Sequence, residues 1–297
     1  MMTNKLSKAF ATAFILAAGL MVTSLMMVGC KSSTEPTGAQ EYDSRAAADV
    51  TSAALGTESG GAGVSFGDAM SITKYGTIPT VIDDPKAGTP TSRDTSFDPA
   101  TKLHTVTITR SASWGRFDFN TVITYTYTFY DASGAPMDNF IKGTTDRIDM
   151  TVAKQKSKDI GERVDVQDTA YGTWSITGLT GSTPILNGNF NRSGTDVFHT
   201  PENGDRTFTH SFSITFVGDT IVQSTDNGRQ HTFLKGPATS HFTAATPKGY
   251  TFTRDTKITF NGDGTAVLDV TRTSGDGTVD TYTIDVKVGQ WLRFGRK

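Results

Sequence analysis

Phe117-Asp118-Phe119-Asn120-Thr121-Val122-Ile123-Thr124-Tyr125-Thr126-Tyr127-Thr128-Phe129 is the stretch from which the fold is read. Large apolar side chains take most odd positions, and threonine takes the even ones from 124 onward. Successive side chains of a strand point to opposite faces, so this period of two buries one face and wets the other. Phe208, Phe212, Ile214 and Phe216 repeat the pattern against Thr207, Thr209, Ser211, Ser213 and Thr215. Threonine, whose β-branch suits a pleated surface, supplies 50 of the 297 residues. Antiparallel strands with one buried face are predicted.

Turn signals divide the pattern at short intervals. They are Asp131-Ala132-Ser133-Gly134, Asn203-Gly204-Asp205, Asn227-Gly228, Asn261-Gly262-Asp263-Gly264 and Ser274-Gly275-Asp276-Gly277. Each offers residues that tolerate positive φ. Roughly eleven to thirteen strands are expected between 103 and 294. The predicted fold is all-β, a long antiparallel meander forming a curved barrel-like or sandwich-like sheet, with a short N-terminal helix. An outer-membrane barrel would alternate in the same way. A weak repeat offset by 44 residues joins Thr207-Phe208-Thr209 with Thr251-Phe252-Thr253, and Ile214-Thr215-Phe216 with Ile258-Thr259-Phe260. With two copies and no blade motif, it reads as a repeated strand and turn within the meander, not as a propeller.

Ahead of this region, Ser44 to Leu55 reads as the short helix, capped by Ser44 and rich in alanine. Gly60 to Gly63 reads as a loop, with a weak helical turn near Asp68–Met70. Residues 83–100, with Pro85, Pro90 and Pro99, read as loop. The expected organisation is 1–29 leader, 30–43 flexible tether, 44–100 short helix and Gly/Pro-rich loops, and 101–297 antiparallel β domain.

The leader carries Lys5 and Lys8, then no charge from Ala9 to Val28, and ends Met27-Val28-Gly29-Cys30. An apolar run closed by small residues has the form of a signal peptide. The single cysteine after Gly29 resembles the lipobox of bacterial lipoproteins, with Met27 where that family prefers leucine. The resemblance implies cleavage before Cys30 and acylation of its thiol, anchoring the chain in a membrane. Lys31 after the cysteine, by the same resemblance, favours the outer membrane of the cell envelope. An uncleaved transmembrane anchor and an ordinary secretory signal are the other readings of this run. Loss of the leader removes two lysines and shifts the formal charge from −2 to −4.

Composition excludes several classes. With 28 Lys and Arg against 30 Asp and Glu, no basic surface for nucleic acid is expected. One cysteine excludes a disulfide framework and a thiolate metal cluster. No cofactor is indicated.

Gly63-Val64-Ser65-Phe66-Gly67 matches the G-x-S-x-G nucleophile pattern, but no strand–helix alternation surrounds it, so it reads as a loop. If Gly204-Asp205 and Lys235-Gly236-Pro237 are hairpin turns, His199 faces His210 and His231 faces His241. Such pairs could share a zinc ion, yet a slip of one residue separates them. His210, between Phe208 and Phe212, reads better as a core histidine. Asp263 and Asp276 read as turn residues, since neither has calcium-loop spacing. Trp114, between Ser113 and Gly115, is a candidate contact for a ligand or partner. Trp174 shares parity with Ile176 and reads as core. No catalytic constellation stands out. The expected function is a structural or binding envelope lipoprotein, whose partner is an envelope protein, a glycan or an apolar ligand. The alternative is a carrier that holds a lipid or other apolar ligand inside the curved sheet.

Overall fold

Period-two alternation over nearly two hundred residues leaves little choice but successive antiparallel pairing. The computed structural model, which describes residues 62–78, 91–200, 204–226, 229–245 and 249–287, has that architecture. Twelve strands form one sheet: β1 (Thr91–Asp98), β2 (Leu103–Trp114), β3 (Phe117–Asp131), β4 (Pro136–Met137), β5 (Thr145–Asp159) and β6 (Val164–Thr177) come first. They are followed by β7 (Ile185–Thr200), β8 (Gly204–Asp226), β9 (Arg229–Ala245), β10 (Thr251–Asn261), β11 (Thr265–Ser274) and β12 (Val279–Lys287). Each strand pairs antiparallel with the next, except that the two-residue β4 sits beside β3 and lets β3 pair with β5. The sheet is curved and open, with β1 and β12 at its edges.

The hairpin chemistry follows the turn residues. Asp131 Oδ1 accepts from the amides of Ser133 and Ala135, both at 2.9 Å, and closes the β3–β4 turn. Asp263 and Asp276 do the same for the amides of Thr265 and Thr278; the Thr265 hydroxyl and then its amide hold the Asp263 carboxyl below the usual range, and the Thr278 amide does so for Asp276. The 44-residue repeat corresponds to β8 and β10, which lie on either side of β9.

The odd-numbered face of Phe117–Phe129 is the buried one. Ile123, Tyr125, Tyr127 and Phe129 join Val106, Ile108, Ile148, Met150, Val152, Trp174, Phe190, Phe212 and Phe216 in one core. Threonines populate the opposite face and pair across strands, as Thr126 with Thr151 at 2.5 Å and Ser211 with Thr243 at 2.6 Å.

A helix, α1 (Ala62–Tyr75), lies on the inner face against β5 and β6. This corrects the loop reading of Gly63–Gly67. Two glycines and no acidic residue in the first turn make α1 intrinsically poor. Its apolar spacing, Ala62, Phe66, Ala69 and Ile72, is nonetheless that of one helical face, and all four are buried. Tertiary burial overrides local propensity here. The predicted helix at 44–55, with the leader and tether, lies outside the described residues.

Two other expectations are corrected. Residues 91–98, read as loop, form the edge strand β1, in register with Arg110 to Leu103 of β2. Lys235-Gly236-Pro237, considered as a hairpin turn, runs inside β9, opposite a register shift in which β8 carries one extra residue between Phe216 and Thr220.

Candidate functional site

On a half-buried sheet the inner positions should stay apolar, and for the middle of each strand they do. Toward the far end of β5 they do not. Ile148, Met150 and Val152 are followed on the same face by Lys154, Lys156 and Lys158. The register brings matching charges from neighbouring strands. Lys156 stands between Thr121 of β3 and Asp168 of β6, and Asp168 is followed across the sheet by Gly194 and His210. One row nearer the core lie Lys154, Ala170 and Arg192; one row beyond lie Lys158, Val166 and Asp196. Arg110 of β2, opposite Thr121, closes the patch on its other side.

This is a buried ionic cluster. Arg192 grips Asp168 through Nε at 3.2 Å and Nη2 at 2.6 Å, with side-chain exposures of 6% and 5%. His210, 1% exposed, sits between two carboxylates, with Nε2 3.3 Å from Asp168 and Nδ1 3.5 Å from Asp196. Gly194 makes this approach possible. A Cβ there would meet the Asp168 carboxylate, the Gln167 carbonyl at 2.6 Å and the His210 ring at 3.0 Å.

Electrostatics divide the group. Burial alone would raise the Asp168 carboxyl, but His210 and Arg192, by hydrogen bonds and charge, bring it down to about 2. Asp196 moves the other way, raised chiefly by burial despite His210. Burial, then repulsion from Lys156 and Arg192, pushes the Lys154 ammonium down to about 7. Lys156 and Lys158 are lowered by burial as well.

Between this patch and the core lies a second polar pair. Tyr125 donates to Asp68 of α1, and both are buried. Burial raises the Asp68 carboxyl to about 7 against the opposing effects of Tyr125, Arg110 and Lys154.

The residues singled out in the sequence are scattered. His199 pairs with Asp205 in register, not with His210, and its Nδ1 lies 2.8 Å from the Asp205 carboxylate. His241 stands between Ser213 and Asp255, with Nδ1 2.6 Å from Asp255, and His231 stands opposite Ser224. The expected histidine pairs are therefore not formed, because the turns that would have set their register lie elsewhere. Asp118, Asp159 and Asp165 share one cross-strand row. Even so, among the described residues no three His, Cys, Asp or Glu side chains gather closely enough for a metal ion. Trp114 is the last residue of β2, in register with Phe117. Cys30 lies outside the described residues. Only His210 of the sequence candidates belongs to the cluster. Lys154, Lys156, Asp168, Arg192 and Asp196 were missed, although each shares strand parity with an apolar core residue.

One further carboxyl is isolated. Asp219, fully buried at the β8 register shift, is raised to about 7 by burial, with only the Val217 backbone opposing. A raised acid holds its proton in the folded chain while the unfolded chain has already lost it. Its contribution to stability is full below 3.8 and is lost as pH rises through about 7. Measured by urea unfolding, wild type minus Asp219→Asn should fall by about 2–4 kcal/mol between pH 4 and pH 7.5. A difference that stays flat across that range would refute the assignment.

No protein-family model, curated protein or solved structure matches this chain significantly.

Proposed function

We propose that the protein is a membrane-anchored envelope lipoprotein that works by binding, with the ionic cluster of the inner face as its ligand site. The observation that carries the binding role is the cluster itself. Arg192, Asp168, His210 and Asp196 are nearly solvent-free at positions where apolar residues would stabilise the sheet more simply. Charged groups kept in such places are a mark of functional sites. The apolar part of the same face is occupied by α1, with Phe66 and Ile72 at 0% exposure. That favours a polar site over a chamber for an apolar ligand. Trp114, at the sheet end that also carries Lys158, remains the proposed outer contact.

The anchor rests on the lipobox-like leader and Cys30. Cells fed a fatty-acid analogue should label the wild-type protein and leave Cys30→Ala unlabelled, with the variant released from the membrane fraction. An unlabelled wild type would remove the lipoprotein reading while leaving the binding site to be judged by its own test.

A further inference from the structure

We propose that the inner-face cluster is an oxyanion site, in which Lys156, Lys158 and Arg192 hold the phosphate or carboxylate group of a small ligand. This rests on the binding reading above and names its ligand class.

Three cationic side chains, from Lys156, Lys158 and Arg192, share this part of the inner face with two carboxylates, Asp168 and Asp196, while Arg110 and Lys154 act on the Asp68 carboxyl nearer the core. Asp168 is engaged by Arg192, and His210 lies within ion-pair distance of both acids, although Asp196 Oδ1 and the His210 ring nitrogens have no hydrogen-bond partner. Among the described residues no carboxylate comes within 4.0 Å of the ammonium groups of Lys156 or Lys158. Arg192 uses two of its nitrogens on Asp168, and Nη1 is left buried with no hydrogen-bond partner. The Thr121 hydroxyl, directly opposite Lys156, is buried and unpartnered too.

Against one leftover acceptor, Asp196 Oδ1, stand the Lys156 and Lys158 ammonium groups, Arg192 Nη1 and the Thr121 hydroxyl, so donors outnumber acceptors and three cations face two acids. A metal ion would be repelled. An apolar ligand would leave the donors unsatisfied at a full desolvation cost. A neutral polar ligand could take the hydrogen bonds but not the charge. An oxyanion answers both, and in surroundings flanked by Phe119, Val166 and Phe208 its attraction to the cations is strengthened. Burial lowers the Lys156 and Lys158 ammonium groups, and an anion beside them would offset that cost.

The test is titration calorimetry and thermal melting of the full chain, with inorganic phosphate and citrate as probes and chloride at matched ionic strength as reference. Glucose serves as the neutral probe, and phosphatidylglycerol against phosphatidylcholine vesicles separates a lipid headgroup from a free anion. Phosphate or citrate should bind saturably and raise the melting temperature above the chloride reference. Lys156→Met should weaken that binding about tenfold or more, the loss of one charge-assisted contact. It should also melt higher than wild type without ligand, because it removes a half-buried ammonium that no carboxylate approaches within 4.0 Å. A purely structural Lys156, paired with Asp168, would make the variant melt lower and leave anion binding untouched. Response to glucose alone would overturn the oxyanion assignment and keep the binding reading. Response to none of the probes would overturn the assignment. Response to phosphatidylglycerol vesicles but not to free phosphate would support the oxyanion and identify its source as lipid.

Discussion

Trp174→Ala is expected to destabilise the β domain by about 3–5 kcal/mol, read as a fall in the urea midpoint with the slope unchanged. Trp174 is 2% exposed and joins three parts of the molecule. Its ring lies near Phe66 of α1, with centroids 6.2 Å apart, and near Phe216 of β8 at 5.5 Å. Its indole N–H donates to Ser65 Oγ at 2.6 Å, so the only polar atom of the side chain is satisfied inside the core. Beneath it, Gly188 stands directly opposite in β7, and a Cβ there would come within 2.8 Å of the ring. Truncation therefore loses the transfer energy of the ring, opens a cavity above a glycine that cannot fill it, and strands the Ser65 hydroxyl. Trp174→Phe should recover part of the packing but not the hydrogen bond. Comparison with Ser65→Ala in a double-mutant cycle isolates that bond at about 1 kcal/mol. A loss below about 1 kcal/mol for Trp174→Ala would mean that α1 is not seated on the sheet as described.

The sheet was legible because one chemical rule repeats along it. The alternation of Phe117–Phe129 sets which face is buried, and Asp131-Ala132-Ser133-Gly134 and Asn261-Gly262-Asp263-Gly264 place two of the turns correctly. What failed was local reading where tertiary burial decides. α1 carries Gly63 and Gly67 and no cap of obvious strength, so its propensity argues for a loop. Only the sheet's apolar face makes it a helix. β1, Thr91-Ser92-Arg93-Asp94-Thr95-Ser96-Phe97-Asp98, has polar residues on both faces and is largely exposed. As an edge strand it needs only the β2 ladder, which no side-chain pattern announces. Gly236-Pro237 has turn chemistry, yet it lies within β9, opposite the extra residue that β8 carries, and Gly236 takes its φ of 146° inside the strand.

The cluster was legible in one dimension and hidden in the second. Lys154, Lys156 and Lys158 continue the parity of Ile148, Met150 and Val152, and that alone marks charges on a buried face. Asp168 keeps step with Ala170 and Trp174, Arg192 with Phe190, and His210 with Phe212. To know that these residues meet requires the cross-strand register of four strands at once. A slip of one position would turn any of them outward. The histidine pairs failed in two ways: with no turn at Lys235–Pro237, His231 and His241 lie on the one strand β9, and the register of β7 on β8 sets His199 opposite Asp205.

Asp168 is where the cluster's stability can be weighed. Asp168→Asn keeps the shape and removes the one carboxylate held by both Arg192 and His210. Arg192, 6% exposed, would then lie beside Lys156 and Lys154 with only Asp196 near, a carboxyl that burial already raises. Breaking one partner of a buried pair typically costs about 3–5 kcal/mol, and that loss is expected here. The acid limb gives a separate check. Asp168 has a folded value of about 2 against 3.8 unfolded, so its contribution is present above 3.8 and is lost as pH falls toward 2. Wild type should lose that increment on acidification, and Asp168→Asn should not. The pair as a whole is a different matter, because desolvating two charges offsets much of their attraction. Asp168→Leu with Arg192→Met should therefore recover most of the stability that Asp168→Asn loses, while losing response to phosphate and citrate. If the double variant is stable and still responds to those anions, Arg192 is not part of the site. If it is no more stable than Asp168→Asn, the cluster is held for packing, and a ligand need not be invoked to explain the charges.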